Sequence, residues 1–440
     1  MSRFFLGAFG EPGHAFPMLA LGARLAARGH EVTFETWSRW REDVEATGMR
    51  FEPAPEYPLF PTHGEPFKMY ETVVMACGHT RQTVADLRPD VVVHDILTLA
   101  PALAGELEGV PVATLVPHLY PVGADGFPPY ALGARIPRTR LGRGLWRTLE
   151  RSTQAGLRQG RAELNDARAK VGLPPVARLH GGLSERLCMV GTFPQLEYPR
   201  RWPPHVEVVG PIMWEPAFHA VEPPPGEAPL VLVAPSTAQD PEHRLLRAAL
   251  AGLGDEPIRV LATWNRRPLA EPIDVPANTR LVEWVSYSQT MPSCAAVICH
   301  AGHGTMARAL ASGCPVVAAP HCGDMAENAA RVDWAGAGVR LPWRFVGPGP
   351  LRLAVRRALS DAALAARARE LAAWAGAHDG ASRAAALVEG LADQSSRRAR
   401  TNSISSGASP DTTSIGSPEQ LHNSTTARSA LTSSARQTAP

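Results

Sequence analysis

The sequence predicts an α/β fold of two Rossmann-like domains facing each other across a cleft, followed by a disordered tail. Three observations predict it. Short apolar runs alternate with helix-period segments in both halves of the 440-residue chain, the pattern of parallel strand–helix–strand units. A Pro-rich break separates the two series. The last stretch of chain loses both its aromatic residues and its apolar period. A length of this size suits two domains, and 45% hydrophobic against 20% charged residues suits large buried cores.

The elements follow in order. Arg3–Phe9 reads as a strand, Gly10–His14 as a Gly/Pro loop and Pro17–Ala27 as a helix. Glu31–Thr36 is a second strand, which completes one parallel unit. Strand Asp90–His94, helix Leu97–Leu107 and strand Val110–Val116 repeat it. Ala131–Lys170 is helical and basic, carrying Arg135, Arg138, Arg140, Arg143, Arg147 and Arg151. That face is either solvated or a surface for an anionic membrane. Tyr198–Pro204 and Val221–Pro229 are Pro-rich, with strand-like Val206–Val209 between them, and mark a linker zone.

The second series runs through strand Leu230–Ala234, helix Pro241–Leu253, strands Ile258–Thr263 and Thr279–Val282, and strand Ala296–Cys299. Helix Thr305–Ala311, strand Pro315–Ala319 and a helix over Ala326–Trp334 follow, with closing helices at Pro350–Ser360, Ala362–Trp374 and Ala381–Leu391. From Gln394 the chain is Ser/Thr-rich and cannot bury enough surface to offset the entropy of ordering it. The expected division is 1–215, an N-terminal Rossmann-like domain; 216–229, a linker; 230–392, a C-terminal Rossmann-like domain with its closing helices; and 393–440, a disordered tail.

Composition excludes several classes. A net charge of +2 gives no reason to expect nucleic acid. The longest apolar runs are strand-sized, short of the ~20 residues of a membrane span, so no stable membrane insertion is expected. Residues Met1–Phe9 are too short for a secretory signal. The six cysteines, Cys77, Cys188, Cys294, Cys299, Cys314 and Cys322, form no CxxC pair and no metal spacing, which fits reduced thiols in a cytoplasmic protein.

Two Gly-rich loops carry the candidate chemistry. His300–Thr305 (HAGHGT) follows an apolar strand and opens a helix. Small residues there let backbone N–H groups approach an anion, and the helix dipole favours negative charge, so the loop reads as a metal-free diphosphate cradle or as a tight strand–helix turn. The other loop, Gly7–His14 (GAFGEPGH), closes the first strand. Glu35 stands where a dinucleotide site carries its ribose acid, but the glycines are spaced G-x-x-G-x-x-G rather than G-x-G-x-x-G. His14 fits a general base, kept neutral by the helix N-terminus, or a structural loop histidine. Asp95, at the same sheet edge, fits the carboxylate that orients it, a helix N-cap, or both.

These residues resemble the nucleotide-sugar-dependent glycosyltransferases of the GT-B type, most closely the bacterial enzymes that glycosylate natural products. The likeness covers Met1–Leu391. It rests on Gly13–Pro17 with the following helix, and on the long run from Val282–Tyr287 through His300–Thr305 and Gly313–Val317 to Gly323–Ala329. The resemblance implies a nucleotide-sugar donor, a small apolar acceptor, no cofactor and no metal, and a single displacement that inverts the anomeric centre. It implies His14 as the base with Asp95 behind it. It places Trp284 against the nucleotide base with the Val285 backbone pairing to it. Ser236, His300, His303, Gly304 and Thr305 would hold the diphosphate, and Asp324 with Met325 would meet the sugar. A monomer or homodimer is expected.

Two positions depart from the family pattern. Eight residues after the motif histidine the family carries Glu on the donor ribose, and here stands Arg308; its Asp-Gln pair is here Asp324-Met325. A guanidinium only donates and a thioether does neither usefully, so both changes lean toward a thymidine-diphospho-deoxysugar rather than a uridine-diphospho-sugar. Aromatic residues in the loops Phe51–Tyr70 and His118–Tyr130 (Phe60, Phe67, Tyr70, Tyr120, Phe127, Tyr130) suggest a flat or greasy aglycone. The competing classes are a nucleotide-sugar epimerase or hydrolase on the same fold, a non-catalytic sugar-nucleotide-binding helper, and a nicotinamide-dependent oxidoreductase.

Overall fold

The computed structural model describes residues 1–56, 69–218, 220–236, 240–269, 271–321 and 323–406. The N-terminal half forms a seven-stranded parallel sheet from β1 (Arg3–Gly7), β2 (Glu31–Thr36), β3 (Arg50–Pro53), β4 (Val91–Asp95), β5 (Val112–Val116), β6 (Cys188–Val190) and β7 (Val206–Val208). Their order is β3-β2-β1-β4-β5-β6-β7. Helices α1 (Pro12–Ala27), α2 (Arg41–Ala46), α3 (Met69–Leu87), α4 (Ala100–Leu107) and α5 (Arg140–Lys170) connect them. The C-terminal half is a six-stranded parallel sheet of β8 (Leu230–Ala234), β9 (Arg259–Thr263), β10 (Thr279–Val282), β11 (Ala296–Cys299), β12 (Val316–Ala318) and β13 (Gly338–Arg340), ordered β10-β9-β8-β11-β12-β13. Its helices are α6 (Arg244–Leu253), α7 (Tyr287–Thr290), α8 (His303–Ala311), α9 (Asp324–Trp334), α10 (Pro348–Ser360), α11 (Ala362–Ala377) and α12 (Gly380–Ser406). Two doubly wound parallel sheets are the fold the alternation predicts.

Central strands covered on both faces read as continuous apolar runs. That is why β4, β5, β8 and β11 are wholly buried along their length. In each sheet the strand order reverses beside the first strand of its half, between β1 and β4 and between β8 and β11. Such reversal points leave a crevice at the strand carboxyl ends, where α/β folds bind ligands.

Several boundaries differ from expectation. Helix α1 begins at Pro12 rather than Pro17, because Pro at a first-turn position needs no backbone N–H partner. Val206–Val208 is the edge strand β7 of the first sheet and not part of the linker. Helix α12 crosses back: Ala381, Ala384, Ala385, Val388, Leu391 and Ala392 join the core of the N-terminal half with Leu21 and Leu25. The closing helix assigned to 230–392 thus packs on the other domain, and it runs through Ser406, past the expected tail boundary at Asp393. The rest of that expected tail, residues 407–440, lies outside the described residues. The basic stretch is α5, whose first half leaves Leu141 and Leu145 exposed beside its arginines. Among the described residues no helix is long and apolar enough to cross a membrane. Cys77, Cys188, Cys294, Cys299 and Cys314 are free thiols; Cys322 lies outside the described residues.

Candidate functional site

The two reversal points face one cleft of ≈ 430 Å³. On the N-terminal side, β1 pairs with β4, so the loop after β1 and the last residue of β4 end side by side. His14 sits in the first turn of α1, and its Nδ1 lies 2.7 Å from Oδ1 of Asp95. Asp95 is fully buried and its other oxygen accepts the Leu97 backbone N–H at 3.2 Å, a turn-type bond rather than the cap of α4, which starts at Ala100. An ionised carboxylate only accepts, so the His14 Nδ1–H donates to it and Nε2 is left as the basic nitrogen. Burial disfavours the His14 cation, but the Asp95 charge and hydrogen bond, with Asp324 and Glu11 further off, outweigh it and raise its pKa above 6.5. The helix N-terminus, expected to disfavour the cation, does not set its direction: the carboxylates do.

The first loop's glycines have packing causes. A Cβ on Gly7 would meet Pro101 Cγ at 2.3 Å, and one on Gly10 would meet Trp37 Cγ at 2.1 Å. Glu35 is 2% exposed and accepts the Thr80 hydroxyl on both oxygens, at 3.1 and 3.0 Å. It faces the sheet's interior, not a ribose, so the dinucleotide reading of this loop has no acid to carry it.

On the C-terminal side, the loops after β8 and β11 meet in the same manner. The Ser236 backbone N–H donates to His300 Nδ1 at 2.9 Å, and His300 Nε2–H faces Asp240 Oδ2 at 3.2 Å. Both ring nitrogens of His300 are therefore taken by protein, and the ring is 1% exposed. His300 braces the loop rather than offering a proton to an anion. Ala301 holds φ at +60°, a left-handed strain for a residue with a Cβ, and its carbonyl accepts Asn328 Nδ2 at 2.9 Å. The chain then enters α8, where the N–H groups of His303, Gly304 and Thr305 precede the first bond of the turn, Met306 N–H to Gly302 O at 3.0 Å. Gly304 has open space where a Cβ would stand.

The remaining expected residues divide. Trp284, Thr305, Asp324 and Met325 line the cleft. Trp284 stacks on Tyr287 with an interplanar angle of 14°. Asp324 opens α9 behind Gly323, whose φ of +59° with ψ of −137° suits glycine, and its Oδ2 accepts Asn328 Nδ2 at 3.2 Å. The Val285 side chain is buried in the C-terminal core, which leaves its backbone as the part expected to pair with the base. His303 turns across the cleft to the N-terminal half: its Nε2 pairs with Thr192 Oγ1 at 2.9 Å, and a hydrogen bond to the Pro117 backbone also holds the ring. Burial pushes its pKa down to about 3. Its side chain joins the two halves at the cleft it lines.

The apolar wall comes from residues the sequence did not single out: Phe9, Phe16, Leu97, Pro117, Met213 and Trp214. Tyr120 is buried in a separate cluster, Phe127 packs on Tyr198, and Tyr130 packs on His118, so none of these three forms that wall. Phe60 and Phe67 lie outside the described residues. His118 stands 6.2 Å from His14 between ring centroids, and Glu215, from the connector between the sheets, lies 3.9 Å from Arg308. A Trp-Glu pair in an otherwise Pro-rich connector was the available signal for Trp214 and Glu215. Among the described residues no group of three or more His, Cys, Asp or Glu is placed to hold a metal ion.

Known proteins resemble this arrangement along its length. The family model described as erythromycin biosynthesis protein CIII-like, C-terminal domain, matches residues 247–389. The 4'-demethylrebeccamycin synthase of Lentzea aerocolonigenes is 32% identical, over 86% of this chain and 97% of its own. The O-mycaminosyltylonolide 6-deoxyallosyltransferase of Streptomyces fradiae is 30% identical, over 89% and 98%. Among solved structures, glycosyltransferase VinC in complex with DTDP superposes with a TM-score of 0.64 at 21% identity, over 89% of this chain and 100% of its own.

Proposed function

The chain belongs to the glycosyltransferases of antibiotic biosynthesis, GT-B enzymes that move a sugar from a nucleotide sugar to a natural product, and from that premise we propose the reaction its cleft performs. His14 Nε2 takes the proton of an acceptor hydroxyl, and the oxygen attacks the anomeric carbon of the donor. Asp95 holds the imidazole in the productive tautomer and stabilises the imidazolium that forms. The diphosphate leaves toward the α8 N-terminus, where the N–H groups of Gly304 and Thr305 and the helix dipole meet its growing charge. One displacement with the base and leaving group on opposite sides inverts the anomeric centre, with no metal in any step. The observation that carries this reading is the His14–Asp95 pair facing the first turn of α8 across a single cleft.

Trp284 is the platform for the nucleotide base and Asp324 accepts from the sugar hydroxyls. Met325 beside it suits a deoxygenated carbon, and the Streptomyces fradiae relative is named for transferring a deoxysugar. A thymidine-diphospho-deoxysugar is the donor we propose over a uridine-diphospho-sugar, in keeping with the thymidine diphosphate bound to VinC. The wall of Phe9, Phe16, Leu97 and Trp214 suits a small apolar acceptor. The acceptor side spans 1–215 together with α12, and the donor side runs from 230 to the end of α11. A monomer or homodimer in the cytoplasm accords with this chemistry.

The test is mass spectrometry and proton NMR of products formed from thymidine- and uridine-diphospho-sugars with a panel of polycyclic and macrolide hydroxyl acceptors. A glycoside whose anomeric configuration is opposite to the donor's is expected. Retention of configuration, or epimerised or hydrolysed donor without glycoside, would remove the reading.

A further inference from the structure

Arg308 is an under-partnered cation in a built cleft. It projects from α8 four residues after Gly304 and three after Thr305, a spacing that puts all three on one helix face. Its side chain is 16% exposed, yet among the described residues its guanidinium makes no hydrogen bond, and its one ionic contact is Glu215 Oε2 at 3.9 Å. Burial pulls its pKa below 12.5, and Glu215 offsets part of that. It also borders a second cavity of ≈ 460 Å³ between α1, the connector and α12.

Glu215 is placed with equal care. Its Oε1 accepts Ser286 Oγ at 2.6 Å and Ser288 N–H at 3.1 Å, together with the Ser288 hydroxyl. Its Oε2 accepts only the Tyr287 N–H, at 3.2 Å, besides the distant Arg308. A carboxylate oxygen has two lone-pair directions, so Oε2 retains one. The carboxylate is thus pinned by Ser286–Ser288, the loop that follows Trp284, while Arg308 stands one turn along α8 from Thr305, and Glu215, Trp284, Thr305 and Arg308 all line the cleft.

In a nucleoside diphosphate the group between base and diphosphate is a pentose. We infer that the Glu215–Arg308 pair grips the donor's pentose, Glu215 accepting its 3′-hydroxyl and Arg308 donating to the oxygens on the phosphate side. This rests on the proposed placement of base and diphosphate at Trp284 and α8. The pair offers one free acceptor position, which matches a deoxyribose with one free hydroxyl. A 2′-hydroxyl would bring a second proton to a pair whose one free acceptor position the 3′-hydroxyl already takes. The carboxylate belongs to the connector between the two sheets, so the same contact ties donor binding to that connector.

Isothermal titration of the full chain with thymidine diphosphate, its 3′-deoxy analogue and uridine diphosphate tests this. A hydrogen bond to a charged group is worth enough that losing the 3′-hydroxyl should weaken binding about tenfold or more. Glu215→Gln should close that gap to about threefold or less, mainly by weakening the 3′-hydroxylated ligand, whereas Arg308→Gln should weaken both thymidine ligands alike. Circular dichroism checks that each variant is folded, and Arg308→Gln leaves the Ser286–Ser288 contacts of Glu215 in place. A 3′-deoxy penalty that persists undiminished in Glu215→Gln, with thymidine diphosphate still bound, overturns the clamp alone. Failure of the unaltered protein to bind either nucleotide overturns the placement of the donor, and the clamp with it.

Discussion

His14 Nδ1 and Asp95 Oδ1 stand 2.7 Å apart because β1 and β4 are neighbours, so each residue leaves the carboxyl edge of the sheet beside the other. The pair sets the acid side of the pH profile. Only the neutral His14 accepts a proton, and its pKa lies above 6.5. Turnover should therefore rise with pH through a pKa above that value. In Asp95→Asn the burial that disfavours the cation is no longer outweighed, so the inflection should move to lower pH while the plateau falls, the orienting charge being lost. A kcat/KM profile of both proteins reads this. An unmoved inflection would separate the limb from His14.

Glu35 predicts a stability effect in the opposite sense to most carboxylates. Burial, against the Thr80 hydrogen bond and with Glu52 nearby, raises its pKa from 4.5 to about 8. The folded state holds this proton more tightly than the unfolded one. Its contribution is fully present below pH 4.5 and is lost as pH rises through about 8. Glu35→Gln keeps the shape without the titration. Its melting temperature relative to the unaltered protein should be higher at pH 8.5 than at pH 5.5, and an equal difference at both would contradict the buried neutral acid.

Thr192→Val tests the seam. It leaves His303 Nε2 buried without its hydroxyl partner, at a cost of about 1–3 kcal/mol. Thermal unfolding should show that loss, and Thr192→Ser should recover most of it. Equal melting temperatures for Val and Ser would mean the 2.9 Å contact carries no energy.

Trp214 lines the apolar wall with its ring 5.0 Å from Phe16. Trp214→Ala should raise the acceptor KM severalfold and change the donor KM little. A change confined to the donor would move the acceptor elsewhere.

The fold was legible where strands are buried on both faces. Glu31–Thr36, Leu230–Ala234 and Ala296–Cys299 form as read, and so does Thr279–Val282, which is a part-exposed edge strand. The strands not foreseen, Arg50–Pro53, Cys188–Val190 and Gly338–Arg340, are three or four residues long, too short to show a period. Helix Met69–Leu87 was missed because its apolar residues are interrupted by threonines, a glycine and charges. The site was legible at the strand ends, since an α/β topology brings loop residues such as His14 and Asp95 to one edge. Side-chain direction was not. Nothing in HAGHGT says that His300 turns to Ser236 and Asp240 or that His303 turns to Thr192, because their partners lie 60 or more residues away. Glu215 is one of three acids among the connector's prolines, with Glu222 and Glu227, and only the folded chain gives it Ser286, Ser288 and Arg308.

The most direct measurement is the turnover of His14→Ala at saturating donor and acceptor, alongside its affinity for thymidine diphosphate. Loss of a positioned base predicts a fall in kcat of about 10²-fold or more, with nucleotide affinity within about threefold of the unaltered protein. Turnover that survives the substitution would contradict the account, because the cleft's chemistry would then not pass through His14.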